Sequence, residues 1–211
     1  GYAYMSMGNP DAAFEAYQKA EAVLEQLNDK ITPSRLGNCL GLYLMYHGKP
    51  EQAEDQFNKA LSAAQQSGDQ AQEATIRGNL GLLCMEIGDV ERAHTFFTRA
   101  IKLHQEFGNG RAEGICYLNL GVLSVQRGSS EQALQNYQKS LKILRRIGER
   151  RTVGILLANI SYILAMQGNY PEAQEYLTQA TAISKLVKSR RFEGTIIHAS
   201  GFLCYAQNRI E

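Results

Sequence analysis

Gly8, Gly48, Gly88, Gly128 and Gly168 stand 40 residues apart without drift. A fixed period in this range comes from a stack of repeated supersecondary units, and it constrains the fold before any local propensity is weighed. The beat runs through the whole text. Gly88 to Ile101 aligns without gaps with Gly48 to Leu61 and with Gly128 to Leu141.

Each unit holds two apolar runs at helical spacing. The clearest repeat predicts helix A over about 71–87 and helix B over about 89–107. Gly88 falls where the chain must leave helix A in a left-handed conformation, which costs glycine least. The following residue suits an N-cap in four repeats, as Asn9, Asp89, Ser129 and Asn169, with Lys49 the exception. Pro10 and Pro50 take the first helical position, and Glu91, Glu131 and Glu172 put negative charge in the first turn. Helix B is expected to end at Gly68, Gly108 and Gly148, after which Asp69 and Asn109 can cap the next helix A.

Small residues recur at fixed places: Gly41, Gly81, Gly121, Ser161 and Gly201 on helix A, with Ala13, Ala53, Ala93, Ala133 and Ala173 on helix B. A glycine inside a helix costs about 1 kcal/mol relative to alanine, so its recurrence needs a packing reason. Close backbone approach beside the large residues Tyr17, Phe57, Phe97, Tyr137 and Leu177 supplies one.

Bulk composition excludes more than it assigns. With 44% hydrophobic and 20% charged residues, the chain reads as a folded protein. Its net charge of +1 provides no overall drive toward nucleic acid or membrane. The charge is unevenly placed. Residues 1–105 carry 9 Lys/Arg against 13 Asp/Glu, and residues 106–211 carry 13 against 8. Cys39, Cys84, Cys116 and Cys204 sit in helical segments without C-x-x-C pairing and read as buried thiols in a reducing compartment. The most apolar stretch, 154–166, is too short to span a bilayer. A cytoplasmic protein without membrane association is expected.

The set Leu80-Gly81, Ala93, Phe97 and Ala100 resembles the tetratricopeptide repeat, whose pattern has a small residue, alanine twelve positions later, an aromatic four further on and alanine three beyond. The resemblance covers nearly all of the chain. It implies an all-α fold, an α-solenoid in which antiparallel helix pairs form a right-handed superhelix. The unit here is 40 residues and the standard one 34. The extra residues amount to about 1.7 turns, and the proline late in the standard unit is absent. This long form is similar to the repeats of Pins-type polarity adaptors and to arrays in bacterial signalling proteins. Residues 1–211 then form one array: full repeats at 31–70, 71–110, 111–150 and 151–190, partial ones at 1–30 and 191–211, expected to be a segment of a longer protein.

In such arrays the A helices line a concave face that receives peptides or partner helices. The resemblance places Asn79, Asn119 and Asn159 there, again 40 apart. A carboxamide both donates and accepts, so it can pair with a ligand's peptide bond; it can equally bond between neighbouring helices. Leu82, Met85, Ile115, Leu118, Val122, Ile155, Tyr162 and Phe202 add apolar surface suited to an amphipathic helix or extended peptide, unless they turn into the interhelical core. A clamp for a terminal carboxylate needs cations on successive A helices, and Arg35 stands alone.

A second ladder, Arg111, Arg151 and Arg191, is reinforced by Arg150 and Arg190 and by Arg145, Arg146, Lys185 and Lys188. It predicts a basic edge at the B-to-A turns, either a site for acidic groups or a solvated rim. No interleaved aromatics accompany it, which argues against nucleic acid. His47, His94, His104 and His198 show no metal-ligand spacing, and no nucleophile elbow or phosphate loop is present. No catalytic residue, metal or cofactor is expected. The expected partner is a protein or peptide, met either as a scaffold, as the sensor segment of a larger signalling enzyme such as a STAND-type ATPase, cyclase or kinase, or as receptor for a short signalling peptide. The sequence does not define the oligomeric state.

Overall fold

The structure, a computed structural model, describes residues 32–187 and 190–207, together with residues 12, 15–17, 19 and 20. Nine helices are delimited among the described residues: α1 (Thr32–Tyr46), α2 (Pro50–Ser67), α3 (Gln70–Glu86), α4 (Val90–Glu106), α5 (Gly110–Gln126), α6 (Ser130–Arg146), α7 (Arg150–Met166), α8 (Tyr170–Leu186) and α9 (Arg190–Ala206). Odd-numbered helices are the A helices and even-numbered ones the B helices. The contacts divide the chain into two compact units, Gly1–Phe107 and Gly108–Glu211.

Seven glycines in the left-handed region, with φ between 65 and 80°, mark the helix ends from Gly48 to Gly168 at every twentieth residue. Two backbone bonds close the ends at Gly48, Gly68, Gly88, Gly128, Gly148 and Gly168. After α3, Gly88 N–H donates to Met85 O at 3.2 Å and Asp89 N–H to Cys84 O at 2.8 Å, which satisfies carbonyls that helix termination would orphan. The start signals are less uniform. Asp69, Asp89 and Asn109 accept from Gln72, Arg92 and Ala112 N–H as N-caps should. The Ser129 and Asn169 side chains, expected to cap α6 and α8, make no such bond. Asn169 Nδ2 donates instead to Glu172 Oε2. Glu149 caps α7, accepting from Thr152 N–H at 2.6 Å. Asn9 and Pro10 lie outside the described residues.

In the first unit α1 packs on α2, α2 on α3, and α3 on α4. In the second, α5 packs on α6, α6 on α7, α7 on both α8 and α9, and α8 on α9. The small positions at Gly41, Gly81 and Gly121 work as the sequence implies, whereas Gly201, expected to do the same, has nothing within 4 Å of where its Cβ would stand. A Cβ built on Gly41 would meet the Phe57 ring at 2.6 Å, one on Gly81 the Phe97 ring at 2.7 Å, and one on Gly121 the Tyr137 ring at 2.3 Å. Each aromatic lies over bare helix backbone and is 0–2% exposed, a burial that stabilises by about 1.5–3 kcal/mol for a Phe-sized side chain. Where the repeat substitutes serine, the hydroxyl is used. Ser140 Oγ donates to Gly114 O at 2.6 Å and Ser161 Oγ to Ala173 O at 2.7 Å, both fully buried.

Candidate functional site

α7 is apolar almost all round, with Val153, Leu156, Leu157, Ile160, Ile163 and Leu164 buried, because helices of the same unit pack on several of its sides. Ile155, Asn159 and Tyr162 remain half-buried. Their spacing of four and three residues puts them on one stripe. The stripe continues on α5 with Ile115, Leu118 and Val122, and on α9 with Thr195 and Phe202, all half-buried. Leu118, Val122, Ile155, Tyr162 and Phe202 each rest one side against the core of the second unit. They are therefore margin residues, neither wholly core nor wholly surface. In the first unit Leu82 holds the same position against the core there.

Between α5, α7 and α9 the stripe opens into a cavity of about 200 Å³. Val122 and Val125 of α5 and Ala158 and Tyr162 of α7 supply apolar wall, and Tyr137 of α6 reaches the floor. Gln126, Asn159, Thr195 and His198 bring polar atoms to it. Tyr162 is fixed by two ring contacts, to His198 at 5.0 Å and to Phe202 at 4.6 Å between centroids. Burial keeps the Tyr137 phenol protonated, well above its ordinary range. A cavity of roughly 150 Å³ already admits a benzene-sized group. The space here suits one aromatic or long aliphatic side chain.

The three asparagines expected to form one ladder occupy three different surroundings. Asn79 Nδ2 donates to Asn38 Oδ1 at 2.7 Å, a bond from α3 to α1. Asn119 is 8% exposed. Asn159 is half-buried and borders the cavity. Sequence points to neither Gln126 nor Thr195 and weighs His198 only as a metal ligand, since none of the three recurs at the 40-residue beat and periodicity passes over such residues.

Arg111, Arg150 and Arg151 are exposed in the first turns of α5 and α7. Arg190 and Arg191 begin α9, but their side chains, like Lys188, lie outside the described residues. Of the four cysteines expected to be buried, Cys84 and Cys116 are, Cys39 is half-buried and Cys204 is exposed near the end of α9. Burial pushes the Cys84 thiol up to about 11 and the Cys116 thiol up to about 12, which makes both poor nucleophiles. Among the described residues no group of three or more His, Cys, Asp or Glu is placed to hold a metal ion. No described helix is long and apolar enough to cross a membrane.

The models described as tetratricopeptide repeat match residues 33–106 and 108–186, and another of the same description matches residues 1–23. No curated protein matches the sequence. Several solved structures match the fold. Aspartyl phosphate phosphatase F from Bacillus subtilis aligns with a TM-score of 0.85 at 14% identity, over 95% of this chain and 54% of that one. A Rap protein complexed with competence and sporulation factor gives 0.80 at 15% identity, over 98% and 60%. The STAND protein with a tetratricopeptide repeat sensor from Pyrococcus horikoshii gives 0.80 at 20% identity, over 97% and 31%. At these identities the likeness is one of fold, and the chain spans little more than half of the Rap-type structures. Matched by the repeat models over most of its length, and built of helix pairs on a 40-residue beat, the chain belongs to the tetratricopeptide repeat family.

Proposed function

We propose that this chain is a binding scaffold whose A-helix face in the second unit takes a peptide or a protein segment. The observation that carries the reading is the cavity between α5, α7 and α9, apolar within and bordered by Gln126, Asn159, Thr195 and His198. An apolar hollow with a few convergent polar groups anchors one side chain and leaves donors and acceptors for the adjoining backbone. Asn159 is the ladder member placed for that second task. Asn79 is engaged with Asn38 and serves packing between α1 and α3. The fold is shared with a Rap protein whose structure is of a complex with competence and sporulation factor, which favours a short peptide as ligand. A second reading, the sensor segment of a larger signalling enzyme, is supported by the likeness to the repeat sensor of the STAND protein.

Panning the purified chain against a random peptide library tests the proposal. Enriched peptides should share one aromatic or long aliphatic residue, and Val125→Trp, which fills the cavity from its wall, should abolish their binding while the circular dichroism and melting of the chain persist. Undiminished binding to a folded Val125→Trp protein would remove the cavity from the account.

A further inference from the structure

The turns that join α2 to α3, α4 to α5 and α6 to α7 each close on a left-handed glycine but are charged differently. Gln65, Gln66, Gln70 and Ala71 frame the turn after α2. At the same four positions after α6 stand Arg145, Arg146, Arg150 and Arg151. The fold does not ask for arginine here, since the glutamine version closes the same left-handed turn, at Gly68 with φ 71° and at Gly148 with φ 75°.

The local electrostatics asks for cations on only one side of the turn. Arg145 and Arg146 lie in the last turn of α6, where cations are favourable. Arg150 and Arg151 lie in the first turn of α7, where a cation opposes the helix dipole, and α7 has no acidic residue in that turn. Glu149, the carboxylate between the two pairs, is committed to capping Thr152 N–H. Arg146, Arg150, Arg151 and Lys185 form no ion pair with any described residue, and the Arg145 side chain meets the neutral Gln179 at 3.1 Å and no carboxylate among the described residues. An exposed apolar residue follows the cations in each turn: Ile147, 46% exposed after Arg146, and Leu186, 72% exposed after Lys185. Arg150 and Arg151 stand against the dipole beside the like charges of Arg145 and Arg146, with no carboxylate partner among the described residues, and this breaks a local rule for no gain in folding.

We propose that this edge of the second unit, Arg145, Arg146, Arg150 and Arg151 with Lys185, Ile147 and Leu186, binds an acidic segment of a partner protein in which apolar residues interrupt the Asp and Glu. Charge complementarity identifies the class of partner. The apolar residues favour a polypeptide over a simple polyanion, which would leave Ile147 and Leu186 unused. Ile147 lies low, its Cγ2 only 3.7 Å from where a Gly110 Cβ would stand, so it offers a shallow step for a side chain and not a wedge for lipid. The site is separate from the cavity on the A-helix face and does not depend on the function proposed for it.

The test uses the purified chain and a synthetic peptide of glutamates interrupted by leucines, with binding followed by fluorescence anisotropy at several salt concentrations. Binding should weaken steeply as salt rises, as screening dictates. Combined Arg146→Glu, Arg150→Glu and Arg151→Glu substitution should weaken it at least about tenfold, whereas Arg99→Glu, an exposed cation of α4, and Val125→Trp should leave it unchanged. All these positions are surface or cavity-wall residues, and matching circular dichroism spectra exclude unfolding. Equal binding to the charge-reversed chain, or no binding to the wild type at low salt, would overturn the proposal. Preference for phosphatidylserine vesicles or for inorganic polyphosphate over the peptide would overturn the choice of partner.

Discussion

The two units share one repeat and use their charges in opposite ways. In the first, Arg35 reaches Asp69 at 4.0 Å, Lys59 reaches Asp55 at 2.9 Å, Arg77 reaches Glu73 at 2.6 Å, and Arg92 meets both Glu54 and Asp89. In the second, the arginines of the α6–α7 turn meet no carboxylate among the described residues. Exposed ion pairs are worth about 0–1 kcal/mol each, and in the largely buried Arg77–Glu73 pair desolvation offsets much of the attraction, so the pairs are a weak source of stability for the first unit. What differs is availability. Cations already facing carboxylates have less left to offer a partner, and unpaired ones gathered at one edge have more. Two asparagines of the A helices differ in the same sense: Asn79 is tied to Asn38 in the first unit, and Asn159 borders an open cavity in the second.

The comparison can be broken most forcefully at the shared packing. Phe97→Ala in the first unit and Tyr137→Ala in the second should each cost about 3–5 kcal/mol. In a stack bound only through nearest neighbours, hydrogen exchange should accelerate first in the helices of the substituted unit. Simultaneous loss of protection throughout would show that the two units are not separable in stability. A smaller effect is expected at the glycines. Gly121→Ala forces a Cβ to within 2.3 Å of the Tyr137 ring and should cost about 1–3 kcal/mol in urea denaturation. Gly201→Ala, with nothing within 4 Å, should stabilise by up to about 1 kcal/mol through helix propensity alone.

Ser140→Ala sharpens the contrast further, because the first unit has Ala60 and Ala100 at that place. Losing the hydroxyl bond to Gly114 O should cost about 1 kcal/mol, and a neutral result would mean that the second unit gains nothing from its serine. Smaller still is the conversion of Arg150 and Arg151 to the first unit's residues, Arg150→Gln with Arg151→Ala. Removing two cations from a helix start should stabilise α7 by about 0.3–1 kcal/mol at low salt while weakening the proposed acidic-segment binding. At ordinary pH the buried thiols should make no difference between the units. Each has a folded pKa above the reference 9.0, so the unfolded chain ionises first; the stability present below pH 9 should decline between pH 9 and about 11 for Cys84 and toward about 12 for Cys116.

The sequence was legible wherever geometry leaves one choice of residue. A left-handed turn and a ring pressed on bare backbone both require glycine, so Gly88 and Gly81 announce the helix ends and the packing without a structure. Caps were only half legible: Asp, Asn, Ser and even Glu can serve, and Ser129 and Asn169 show that a suitable side chain need not bond. The site was less legible again. Asn38 stands 41 residues before Asn79, one off the repeat, so the bond that occupies Asn79 escapes a search at the 40-residue beat. Thr195 and His198 meet Asn159 only because α9 folds beside α7, and no spacing in the chain records that.

The central claim is that the second unit's A-helix face does the binding. It is tested most directly by amide chemical-shift mapping of the labelled chain, titrated with a peptide recovered by panning. The account predicts shifts concentrated at Val122, Val125, Asn159, Thr195 and His198. Shifts confined to the exposed sides of α2, α4, α6 and α8 would contradict it.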